Sequence, residues 1–169
     1  MKNNKAKKIA FYALLIALAM IFSYIETLIP IPVFVPGMKM GFANIVTVFA
    51  LYKLGEKDAA VIAVTRILLA AMLFGNVFSL AYSLAGGLFS LIIMILLKKT
   101  NRFSLMGVSI AGGVCHNIAQ VGIAALLLET SAFLYYLPVL LITGCIAGCI
   151  IGLIAGLIIK KLKLTWLGQ

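Results

Sequence analysis

Residues 77–102 read VFSLAYSLAGGLFSLIIMILLKKTNR. No charge interrupts the run from Val77 to Leu97, and Lys98, Lys99 and Arg102 follow directly. A bilayer core about 30 Å thick takes about 20 apolar residues as a helix, so this run has the length of one crossing with a basic stop behind it. Of the 169 residues, 64% are hydrophobic and 11% charged, where a soluble domain carries roughly 25% charged residues. That length allows five or six helices and no separate soluble domain. The chain is therefore read as one all-α integral membrane domain covering residues 1–169.

The same reading extends to both ends. A first helix is expected over 8–28, retained as a span behind the basic leader 1–8, since no small-residue cleavage site follows its apolar run. Residues 29–37, Ile-Pro-Ile-Pro-Val-Phe-Val-Pro-Gly, cannot continue a helix and form an extended apolar loop. Further helices are expected over 41–54, 59–74, 77–97, 104–128 and 133–159, with turns at 55–58 and 75–76.

Charge placement fixes the helix number. Lys2, Lys5, Lys7 and Lys8 precede the first helix; Lys53 and Lys57 flank the turn between the second and third helices; Lys98, Lys99 and Arg102 follow the fourth helix; Lys160, Lys161 and Lys163 follow the sixth. With six helices all four groups share one face, which the positive-inside rule makes cytoplasmic. Five or seven helices would scatter them. Both termini are then cytoplasmic, in a multi-pass protein of the bacterial plasma membrane. The net charge of +10 lies beside apolar segments instead of along a soluble stripe, so it points to the bilayer and not to nucleic acid.

A few polar residues are left inside the membrane. Arg66 lies about 12 Å into the third helix from its basic end. A midplane arginine costs at least about 2.5 kcal/mol to insert, so it faces protein or water. It either pairs with a carboxylate such as Glu26 or faces a ligand. His116, Asn117 and Gln120 lie at or beyond mid-depth in the fifth helix, Asn44 in the outer part of the second, and Tyr82 near the outer start of the fourth. They either bond between helices or line a cup open to the outside. Lys39, a lone cation on the charge-poor side, either snorkels to the interface or closes the mouth of that cup. Lys39, Arg66 and His116 together would favour an anionic small molecule.

Other patterns concern packing. Gly144, Gly148, Gly152 and Gly156 recur every fourth residue and line one face of the sixth helix, which allows close helix approach. Ala13 and Ala17 form a smaller stripe of the same kind. Cys115, Cys145 and Cys149 sit in apolar runs with no metal-binding spacing. The chain has four acidic residues, no P-loop and no paired-carboxylate motif, so no enzymatic activity, metal or cofactor is expected.

The runs Pro36-Gly37-Met38-Lys39-Met40-Gly41-Phe42-Ala43-Asn44-Ile45-Val46-Thr47, Gly86-Gly87 and Gly113-Val114-Cys115-His116-Asn117-Ile118-Ala119-Gln120 resemble the family labelled heptaprenyl diphosphate synthase component I, also called the Gx transporter family. That family looks related to the substrate-binding S components of energy-coupling factor (ECF) transporters. The relation implies a six-helix bundle that captures a vitamin-like molecule from outside. It also implies docking onto a transmembrane coupling subunit, with its ATPase subunits, through an Ala-x3-Ala face matched by Ala13 and Ala17. Lys39, Asn44, Arg66, Tyr82, His116, Asn117 and Gln120 are then the candidate substrate-binding residues.

Two functions follow. The first is a substrate-binding, S-component-like subunit for ATP-driven uptake. The alternative is a noncatalytic membrane component of a polyprenyl diphosphate synthase or another isoprenoid- or quinone-handling assembly. Prenyl diphosphate synthases hold magnesium with clustered aspartates, and Asp58 is the only aspartate here. A secondary transporter acting alone is a third reading, weakened by the lack of an inverted repeat.

Overall fold

The computed structural model describes residues 2–28 and 41–162, all helices and turns. The helices are α1 (Lys2–Leu28), α2 (Asn44–Lys53), α3 (Glu56–Phe74), α4 (Val77–Lys99), α5 (Leu105–Leu127) and α6 (Leu137–Lys161). The proline-rich loop and Lys39 lie outside the described residues.

Local chemistry sets the helix ends. Asn76 caps α4, its side-chain oxygen accepting from Ser79 N–H at 2.8 Å, and Ser104 caps α5 by accepting from Gly107 N–H at 3.1 Å. Gly55, at φ 107°, turns the chain between α2 and α3 in a conformation that suits glycine. Helix α3 then starts at Glu56, three residues before the expected Ala59, with Glu56 and Asp58 in a first turn that favours anions. Helix α6 starts at Leu137 and not at 133, because Pro138 sits in its first turn, the place where a missing N–H is tolerated. A 3-10 turn, Ser131–Tyr136, fills the difference.

Four helices are long and apolar enough to cross a membrane: α4, α5, α6, and α1 over Lys5–Leu28. Helix α2 is shorter than the expected 41–54, and ten residues make only about 15 Å. It is buried on every side from Asn44 through Leu51, as a helix apolar all round must be. It packs on α1, α3, α4 and α6 and forms the centre of the bundle. The outer surface is apolar, with Met72 82% and Val77 80% exposed, which suits a lipid environment.

The basic helix ends meet. Lys8 Nζ lies 3.0 Å from Asp58, and Lys99 Nζ lies 3.1 Å from Glu56. Lys98 Nζ donates to the Leu51 carbonyl at 2.6 Å. The starts of α1 and α3 therefore share one end of the bundle with the finish of α2 and of α4. Ile158 and Leu162 border the same slot as Phe11 and Leu14, which brings the finish of α6 to that end too.

Glycine governs the α5–α6 contact. A Cβ on Gly148 would sit 2.6 Å from Ile110 Cα, and one on Gly144 would sit 2.9 Å from the Gly113 carbonyl oxygen. Ser109 Oγ donates across the gap to the Gly148 carbonyl at 2.8 Å. Gly152 is also tight, its Cβ falling 3.0 Å from Met106 Cα. Gly156 departs from the pattern, since its nearest atom, Leu105 Cδ2, would be 3.8 Å away. Gly148→Ala should destabilise the protein by about 1–3 kcal/mol, because backbone cannot yield as a side chain does, whereas Gly156→Ala should be near neutral. Thermal unfolding of both variants in detergent checks the contrast.

Candidate functional site

Three helices bring their polar residues to one depth. From the basic end, Asn44 is about 14 Å along α2, Arg66 about 15 Å along α3 and His116 about 16 Å along α5. That is the middle of a bilayer core about 30 Å thick. Asn44 reaches this depth because α2 stops there. Gly41 stands at φ 87°, and the Phe42 N–H donates to Glu26 Oε1 on α1 at 2.7 Å. The chain enters α2 through this turn, and the carboxylate of Glu26 lies beside the positive end of the helix, where an anion is favoured.

Arg66 is 5% exposed. One guanidinium nitrogen, NH2, donates to Asn44 Oδ1 at 2.7 Å. Nε has no hydrogen-bond partner among the described residues, so a group with five N–H donors keeps donor capacity inside the bundle. Glu26 supplies the negative field that acts on Arg66. Arg66 therefore bonds within the protein, to Asn44, in the field of the carboxylate that the sequence offered as its partner.

His116, 3% exposed, approaches Gln120 one turn later, with Nε2 to Nε2 at 2.6 Å. The amide NH2 of Gln120 donates, so His116 Nε2 accepts and Nδ1 carries the proton. Nδ1 then faces the backbone of Gly86, near its carbonyl but outside good hydrogen-bond geometry. Gly86 is the wall of this site. A Cβ there would fall 2.9 Å from His116 Cε1, His116 Nδ1 and Gln120 Cγ. Gly41 is the second wall, since its Cβ would lie 2.8 Å from Asn44 Nδ2 and 3.5 Å from His116 Nε2. Beneath Asn44 a void of about 10 Å³ is bordered by Ser90, Ser109 and Gly113, at the lower limit for one water.

Asn44, Arg66, His116 and Gln120 therefore form one buried cluster, joined by Glu26, Gly41 and Gly86. Two other candidates lie elsewhere. Asn117 turns to α6 and donates to the Leu140 carbonyl at 2.6 Å, so it ties helices together. Tyr82 packs with Val121 and Ala124 in a small apolar cluster one turn before Gly86 on α4. Lys39 lies outside the described residues. Among the described residues, no group of three His, Cys, Asp or Glu side chains is placed to hold a metal ion. The walls were the hardest part to read from sequence. Their signal is the adjacent pair Gly86-Gly87 in mid-helix, where glycine lowers helix stability and so points to a close approach.

A sequence model of the family described as heptaprenyl diphosphate synthase component I matches residues 15–158. No curated protein and no solved structure matches the chain.

Arg66→Leu should leave the Asn44 carbonyl oxygen without its buried donor and destabilise the protein by about 1–3 kcal/mol. Asn117→Ala should lose one interhelical bond, worth about 0.6 kcal/mol on average in a membrane protein, and leave the His116 ring undisturbed. Unfolding titrations together with the imidazole NMR signals of this single histidine distinguish the two.

Proposed function

Because the chain belongs to the heptaprenyl diphosphate synthase component I family, we propose that it is a noncatalytic membrane subunit of a polyprenyl diphosphate synthase or a related isoprenoid-handling assembly. The match over residues 15–158 carries this reading, since it takes in half or more of every helix. The acidic residues support the noncatalytic role. Glu56 and Asp58 are engaged by Lys99 and Lys8, and Glu26 holds the Phe42 N–H. Clustered carboxylates for magnesium and diphosphate would come from a partner subunit. The six helices form one membrane domain with both termini cytoplasmic, a placement supported by the shared basic end and the positive-inside rule.

Two observations favour a second reading. Arg66 keeps buried donor capacity at mid-depth, while Ala13 and Ala17 are both exposed on α1. A substrate-capturing subunit of an ATP-driven uptake system would need both features: a cation for a small anionic molecule, and a smooth helix face for a transmembrane coupling subunit.

Removing the chain from its cell should lower polyprenyl diphosphate synthesis in membrane extracts, and proteoliposomes carrying the purified chain should restore it. Unchanged synthesis, combined with co-purification of a coupling subunit that Ala13→Trp abolishes, would select the uptake reading instead. In a cysteine-free background, cysteines placed at Lys5 and Lys161 should both react with impermeant reagent from the cytoplasmic side only. Reaction from opposite sides would refute the placement of the termini.

A further inference from the structure

Three lysines at the basic end turn away from the lipid. Lys98 Nζ donates to the carbonyl of Leu51 on the central helix at 2.6 Å and lies 5.0 Å from the centre of the Tyr52 ring. Lys99 reaches Glu56 at 3.1 Å, and Lys8 reaches Asp58 at 3.0 Å. A lysine that only anchors a helix end extends its ammonium into the headgroup region. These three are drawn instead from α1 and α4 onto the turn between α2 and α3. The positive-inside rule asks for lysines at this end of the bundle, but not for their convergence on one turn.

The turn forms a cup. Leu54, Gly55, Glu56, Lys57 and Asp58 line it together with Lys98, around a volume of about 440 Å³. Both carboxylates in the lining are held by lysines from other helices. Lys57 is exposed and makes no ion pair among the described residues. Lys98 keeps its full charge, because a neutral carbonyl holds it. Four lysines thus meet two carboxylates, and the balance around the cup is positive. Its place in the bundle matters as much. Helix α2 packs on α1, α3, α4 and α6, so a cup at its end opens along the helix axes toward water. Lipid headgroups reach the perimeter of that end and not its centre.

We propose that the cup at the α2–α3 turn docks an acidic segment of the water-soluble catalytic subunit. This rests on the reading of the chain as a membrane component of a synthase. Charge complementarity selects the occupant. Carboxylates on adjacent residues of one segment would meet Lys57 on one side of the cup and Lys98 on the other. Lys98 is already fixed by Leu51 and Tyr52, so little side-chain freedom is lost when the partner arrives. An anionic lipid has the matching sign but stays at the perimeter.

Fluorescently labelled hexaglutamate is titrated against the full chain in nanodiscs of phosphatidylcholine, with binding read by anisotropy. One saturable site is expected. It should be lost between about 0.1 and about 1 M salt, where the Debye length falls from about 10 to about 3 Å. Lys57→Gln with Lys98→Gln should weaken binding about tenfold. Lys57→Gln alone, at an exposed position, should weaken it about threefold. Lys160→Gln with Lys161→Gln removes the same charge from the same end and should leave the affinity unchanged. No binding, equal weakening by the two double variants, or full affinity in Lys57→Gln overturns the cup. Equal displacement of the peptide by phosphatidylglycerol in the nanodisc overturns it as well. The same variants enter the synthesis assay as proteoliposomes in limiting amount. If the natural chain restores synthesis and Lys57→Gln with Lys98→Gln restores it equally, the cup fails while the subunit reading stands. If the peptide fills the cup but the chain never supports synthesis, the subunit reading fails and takes this partner with it.

Discussion

Hydrocarbon offers no hydrogen bonds, so a polar group inside the bundle is costly unless it finds a partner in protein. A guanidinium at mid-depth makes the largest demand. Arg66 is answered by Asn44, which is in place because α2 ends there, and α2 ends there because Gly41 turns the chain and Glu26 takes the Phe42 N–H. Among the described residues the same constraint keeps the other cations at one end, where Lys8, Lys98 and Lys99 tie α1 and α4 to the α2–α3 turn. A basic rim and a buried cation network are thus two consequences of one solvent.

The half-length of α2 links fold to site. A full span would carry its N-terminus to the far interface. At about 15 Å it stops in the middle and presents Asn44 and the glycine turn to Arg66 and His116. Its short body lies below the outer helices and leaves the apolar slot between α1 and α6. Close packing elsewhere fixes the frame. Gly113, Gly144 and Gly148 bring α5 against α6 at backbone distance, and Gly86 lets the His116 ring lie on α4.

Much of this was legible in the sequence, for physical reasons. Lysines at alternate links mark helix ends because charge avoids hydrocarbon, and Asn76 and Ser104 are cap residues at the starts of α4 and α5. Depth grouped Asn44, Arg66, His116 and Gln120, but it grouped Tyr82, Asn117 and Lys39 with them, and packing sends Tyr82 and Asn117 to other contacts. The true start of α2 was hidden, since it depends on Glu26, sixteen residues earlier in the chain. The roles of His116 and Asn117 were hidden too. Neighbours on a helix point about 100° apart, so one meets Gly86 and the other meets Leu140, and only the packing decides which. Pro138 did announce the start of α6, but an apolar run on both sides of it masked the signal.

The account turns on Arg66 and Asn44 being coupled inside the membrane. A double-mutant cycle with Arg66→Met and Asn44→Leu, read by reversible unfolding in bicelles, measures that coupling directly. The account predicts an interaction energy of about 0.6–1.7 kcal/mol, the range of interhelical bonds in a membrane protein. Strictly additive effects would mean that the two side chains do not meet, and the buried network would be wrong.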